Sequence, residues 1–143
     1  MDDLNQAYVQ TVQAVAASVT DVMDGEWGDR EWQRIVVNYE SLLHAKEPEA
    51  SGIAFAVAQA PGGTPELVDF RLSDAAEEGF KRIADIMHAQ KGQYWTVVDL
   101  TIEHDGSYRF DYSYDTPYRL GGHPHDTRFD DYLQRYLAET VVR

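Results

Sequence analysis

The densest cluster of side chains with ligand chemistry is His123-Pro124-His125-Asp126. Two imidazoles and a carboxylate are donors that zinc and similar ions accept. A metal centre needs three or four donors held in fixed geometry, and one short run interrupted by proline supplies them poorly. The run therefore reads as a solvated loop. His44, His88 and His104 share no spacing that would add to it. Nucleophilic chemistry has no better foothold: there are no cysteines, and no serine stands in a Gly-x-Ser-x-Gly context. The glycine runs Pro61-Gly62-Gly63-Thr64 and Gly121-Gly122 lack the lysine of a phosphate loop. Carboxylate pairs such as Asp130-Asp131 are expected in a chain with 25 acids and need no acid–base role. These residues predict no catalytic centre, no metal site and no cofactor.

A different pattern stands out between residues 94 and 115. Val98, Leu100 and Ile102 alternate with polar residues, and so do Tyr108, Phe110, Tyr112 and Tyr114. The two sets share a sheet face only if an odd number of residues joins the strands. A loop of three, His104-Asp105-Gly106, meets that condition and puts glycine where positive φ is needed. The opposite face then carries Asp99, Thr101, Glu103, Ser107, Arg109, Asp111, Ser113 and Asp115. It reads either as the wet side of a one-sided sheet or as an acidic platform for a basic partner. Trp95 has the parity of Asp99, which makes it an interface anchor if exposed; cover by the 117–125 loop is the competing expectation. The candidate partner-binding residues are Asp99, Glu103, Asp111, Asp115 and Trp95.

The overall charge fits the second reading. Lys and Arg total 12 against 25 acids, a net charge of −13. Such a field repels nucleic acid and anionic membranes and attracts basic proteins. Acidity also serves solubility alone. The acidic N-terminus has no signal-peptide pattern, and no apolar run is long enough to span a bilayer. Without cysteines, the expected compartment is the cytoplasm.

The elements that position this face follow from periodicity. Leu4, Tyr8, Val12, Val15, Val19 and Val22 recur on one face of a first helix, ended by Gly25 and Gly28. Residues 33–39 and 53–58 alternate as strands, with a loop at 47–52 between them and a further break at 61–65. A short strand is expected within 67–72. Ser73 suits the N-cap of a second helix with the stripe Ala76, Phe80, Ile83, Ala84 and Met87, closed near Lys91 and Gly92. Strands at 94–103 and 107–114 come next, then a loop at 117–125. Phe129, Tyr132, Leu133, Tyr136 and Leu137 mark a third helix. With 143 residues and 43% apolar content, the chain fits one domain with a real core. The predicted fold is α+β: an antiparallel sheet of about five strands with three helices, in the order α-β-β-(β)-α-β-β-α.

The segment 92–115 resembles the hallmark of the YezG-like immunity proteins. Trp95-Thr96 precedes a strand, Glu103-His104-Asp105-Gly106 makes an acidic-Gly turn, and Tyr108-Arg109-Phe110-Asp111-Tyr112-Ser113-Tyr114-Asp115 alternates aromatic and acidic residues. Specific matching is confined to this segment, although the layout is similar over nearly the whole chain, including Glu26-Trp27 after the first helix. The chain departs from the common pattern in having Asp24-Gly25 before Glu26-Trp27, and Tyr132 and Tyr136 where many members carry tryptophan. The resemblance implies a single non-enzymatic antitoxin domain over residues 1–143. Such a domain binds and silences the toxic C-terminal domain of a secreted polymorphic toxin, often a nuclease. A nuclease is basic to hold nucleic acid, so an acidic inhibitor is the complementary expectation.

The alternative is a small-ligand-binding or enzymatic α+β domain whose pocket is lined by Tyr, Trp and His. It predicts carboxylates buried in a cleft, whereas an immunity protein exposes its acidic strip. A structural subunit of a larger assembly would instead expose an apolar patch.

Overall fold

The computed structural model describes residues 3–42 and 49–141. The element order is α1 (Asp3–Ser18), β1 (Glu31–Leu42), β2 (Glu49–Gln59), β3 (Glu66–Asp69), α2 (Asp74–Lys91), β4 (Val97–Glu103), β5 (Tyr108–Ser113) and α3 (Tyr132–Val141). The strands form one antiparallel sheet in the order β3-β2-β1-β4-β5. The fold is α+β with three helices, as the residue patterning predicts. Among the described residues no helix is long and apolar enough to cross a membrane.

β1 is the central strand, and its alternation divides the molecule. Ile35, Val37 and Tyr39 face α1 and α2 together with Ala54 and Ala56 of β2 and Val98, Leu100 and Ile102 of β4. Small alanines on β2 let the helices approach closely. Tyr39 stacks on Phe80 of α2 with ring centroids 4.8 Å apart, and burial pushes its phenol up to about 12. The two helices touch at Gly79: a Cβ there would lie 3.0 Å from Thr11 Cβ, so only glycine permits the contact. Ser73 caps α2, its Oγ accepting from the Ala76 N–H at 3.1 Å, and Gly92 closes the helix with its N–H on His88 O at 2.7 Å.

The other face of the sheet is not uniformly wet, which corrects the one-sided expectation. Over β1 and β2 it carries Val36, Phe55 and Val57, all buried. The chain beyond β5 folds back to cover them. Phe55 meets Phe129 at 5.7 Å and Tyr132 of α3 at 5.0 Å between ring centroids. Among the described residues, the β4–β5 end of this face is left open.

Several boundaries differ from expectation. β2 begins at Glu49, so residues 49–52 are strand, paired with β1, and not loop; Glu47, Pro48 and His44 lie outside the described residues. Strand β4 starts at Val97, and residues 94–96 precede it. Helix α1 stops at Ser18, yet Val19 and Val22 beyond it are buried. The short strand is Glu66–Asp69, after which Phe70 bridges to Val22. Phe110 and Tyr112 are half-buried, while Tyr108 and Tyr114 are 36% and 41% exposed. β5 is an edge strand with a neighbour on one side, so its aromatics are covered incompletely.

Candidate functional site

The hairpin register places the acidic residues as the alternation predicts. Asp99 pairs with Asp111, Thr101 with Arg109 and Val97 with Ser113. The loop is three residues long: the Glu103 N–H donates to Ser107 O at 2.8 Å and the Gly106 N–H to Glu103 O at 2.9 Å. Gly106 takes φ 92, a left-handed value that side chains other than hydrogen resist. Asp105 Oδ1 accepts from the Ser107 N–H at 2.9 Å and its Oγ at 2.6 Å. The hydroxyl bond, then the backbone bond, hold the Asp105 carboxyl below its usual range.

Each acid on the face has a distinct setting. Asp99 is exposed and accepts from Asn38 Nδ2 of β1 at 2.7 Å. Asp111 is exposed and accepts from Arg109 Nε at 2.9 Å. Glu103 accepts from Arg34 Nε at 2.9 Å, and the same guanidinium reaches Glu139 at 3.3 Å. Burial lowers the Arg34 pKa, but bonds to Glu103, Glu139 and Tyr132 outweigh it and raise the pKa overall. Asp115 lies just past β5 and is exposed; its carbonyl accepts from Thr96 Oγ1 and its N–H donates to Ser113 Oγ at 3.2 Å. The fold thus brings Asp99, Glu103 and Asp111 onto one face and leaves Asp115 at its end. A groove of about 770 Å³ runs between this face and α3, lined by Arg34, Glu103, Ser107, Arg109, Tyr136 and Glu139 among others.

Trp95 does not belong to the face. It is 1% exposed, with its ring 6.4 Å from Tyr39 and 6.1 Å from Tyr112 between centroids. Strand alternation begins only at Val97, so parity with Asp99 says nothing about a residue two positions earlier. As placed, Trp95 is a core side chain, and the expectation of a surface anchor is corrected.

Sequence reasoning missed a buried polar cluster on the covered side of the sheet. Glu40 is fully buried and accepts from the backbone N–H groups of Arg119 at 3.1 Å and Leu120 at 2.9 Å. Arg119 reaches into the sheet, donating to Asn38 Oδ1 at 2.8 Å, Asn38 O at 2.9 Å and Ser51 O at 2.9 Å. Asp126 accepts from Arg119 Nη1 at 2.8 Å and Arg128 Nη2 at 2.6 Å. Hydrogen bonding to Arg128, ahead of the opposing effect of burial and the further bond to Arg119, holds the Asp126 carboxyl well below the usual carboxylate range. Asp126 therefore belongs to an arginine cluster, and His123 stacks on Tyr118 at 4.6 Å. Among the described residues no group of three or more His, Asp or Glu side chains could hold a metal ion. The only available signal was Glu40 within an apolar strand.

A recess of about 550 Å³ lies at the opposite end of β4, where His88, Tyr94, Tyr114, Pro117 and Leu120 line it with one carboxylate, Asp115. His88 and Tyr94 stack there at 4.0 Å. It holds Tyr and His but not Trp95, and it does not gather the acids of the hairpin. No protein-family model matches the chain, and no curated protein matches it.

Proposed function

We propose that this chain is a non-catalytic immunity protein that acts in the cytoplasm. It neutralises the basic toxic domain of a secreted polymorphic toxin, a nuclease, by direct protein–protein contact. The observation that carries the reading is the cross-strand pair Asp99 and Asp111, both exposed, on a face shared with Glu103 in a chain of net charge −13. Like charges directly opposite one another destabilise a sheet. Both carboxylates are nonetheless exposed on this face, where a basic partner can reach them. A nuclease presents a positive surface to its polyanionic substrate. An acidic face on a rigid hairpin complements that surface, steers encounter and disfavours nucleic acid as a competing ligand. The likeness of residues 92–115 to the YezG-like segment supports the same reading.

The test is co-expression with candidate basic toxin domains, beginning with the product of the neighbouring gene. Protection from killing and recovery of a stoichiometric complex are the expected results. Unprotected cells and no complex would overturn the reading.

A further inference from the structure

The segment around β5 reads Ser107-Tyr108-Arg109-Phe110-Asp111-Tyr112-Ser113. It is symmetric about Phe110, with serine matching serine and tyrosine matching tyrosine. The one exception is Arg109 against Asp111, two residues of opposite charge. β5 is the last strand on its side of the sheet, and among the described residues no strand pairs with its outer edge. The bond from the Glu103 N–H to Ser107 O sets the phase of the β4–β5 ladder. Backbone groups of Arg109 and Asp111 turn towards β4, so those of Tyr108, Phe110 and Tyr112 turn to the open edge.

We propose that this edge pairs with a second copy of the chain, β5 antiparallel to β5 about a two-fold axis at Phe110, joining the two sheets into one. Phe110 then meets Phe110 of the second copy and Tyr108 meets its Tyr112, at hydrogen-bonded positions that the open edge already offers. Arg109 meets Asp111 of the second copy at the non-hydrogen-bonded positions, where Cα atoms approach to about 4.5 Å and side chains are closest. Both charges are free to do so: the Arg109 and Asp111 side chains are 76% and 58% exposed. Within one chain they pair at 2.9 Å, a surface contact of small net value, so exchanging it across the axis costs little. The aromatics of β5, incompletely covered in one chain, form a continuous cross-strand band in two.

Charged residues on an edge strand usually prevent such pairing. They do so when like charges meet, and here the symmetry brings opposite charges together. The other edge of the sheet differs: residues just after α1 already bond to it, with the Met23 N–H donating to Asp69 O at 2.9 Å and Val22 bridging Phe70. A net charge of −13 on each copy opposes association, so the dimer is concentration-dependent. Its formation needs no toxin, and it engages Asp111 of the face proposed to meet the toxin.

The experiment is sedimentation velocity of the full chain over a range of concentrations. Arg109→Asp sets acid against acid and Asp111→Arg sets arginine against arginine, and each single change is expected to weaken self-association about tenfold or more. The double variant R109D/D111R restores opposite charges and is expected to restore the dimer. An equimolar mixture of the two single variants is expected to form the mixed dimer. Circular dichroism checks that every variant is folded. A chain that stays monomeric at all concentrations overturns the proposal. So does a dimer that both single variants leave intact, or one that the double variant fails to rescue.

Discussion

Glu40 and Arg119 form an ion pair inside the molecule, with Arg119 Nη1 3.5 Å from Glu40 Oε2 and side chains 0% and 6% exposed. The pair joins the central strand to the segment that covers it. Both charges are also hydrogen-bonded, Glu40 by two backbone amides and Arg119 by carbonyls of β1 and β2. Burial of charge is tolerable only on such terms. Removing the guanidinium leaves the Glu40 carboxylate without its closest countercharge and Asp126 with Arg128 alone. Arg119→Met, which keeps the aliphatic stem, is expected to cost about 3–5 kcal/mol in denaturant unfolding. A loss below about 1 kcal/mol would mean that the cluster contributes nothing to holding residues 117–131 on the sheet.

Acid should act on the same cluster. The Asp126 carboxyl, held low first by its bond to Arg128, binds its proton more weakly folded than unfolded. Its stabilising contribution is complete above the unfolded value of about 3.9 and is lost as pH falls through the folded one. Asp126→Asn removes that contribution at neutral pH. The stability gap between wild type and Asp126→Asn is therefore expected to be largest near neutrality and to narrow below about pH 4. Urea titrations across that range measure it, and a gap independent of pH would contradict the assignment.

The two faces of β4 and β5 should respond to truncation very differently. Leu100 is fully buried, and Leu100→Ala is expected to cost about 2–5 kcal/mol. Asp111→Ala loses a surface bond to Arg109 but also relieves the repulsion from Asp99, so its effect should stay within about 0.5 kcal/mol. Thermal melts of the two variants decide it, and equal losses would mean the faces are assigned wrongly.

That division of faces was legible in the residues because alternation and loop parity are local rules. Val98, Leu100 and Ile102 needed only their spacing, and His104-Asp105-Gly106 needed only its length and its glycine. Ser73 was legible as a cap for the same reason. The Glu40–Arg119 pair was not, because 79 residues separate its members and one sits in a segment without periodicity. Nor could the alternation of β2 show that Ile53, Phe55 and Val57 face a second covering layer, because both sides of that strand are apolar. Trp95 failed for a third reason: parity was carried past the end of the strand that enforces it.

The final expectation concerns how a toxin domain would find the hairpin face. Exposed charges at an interface act mainly on the association rate and its dependence on salt, whereas desolvated pairs act on dissociation. Asp99 and Asp115 are both exposed and lie outside the β5 strand proposed to self-pair. Lysine at position 99 would stand opposite Asp111, replacing a repulsive pair with an attractive one, so the fold should tolerate it. Asp99→Lys combined with Asp115→Lys is expected to slow association with the toxin domain about tenfold or more at low salt. The slope of that rate against ionic strength should flatten, with the dissociation rate changed much less. Stopped-flow association across a salt series measures both quantities. Unchanged rate and slope would show that the face is only solvated, and would move the search for the toxin's docking site to the groove beside α3.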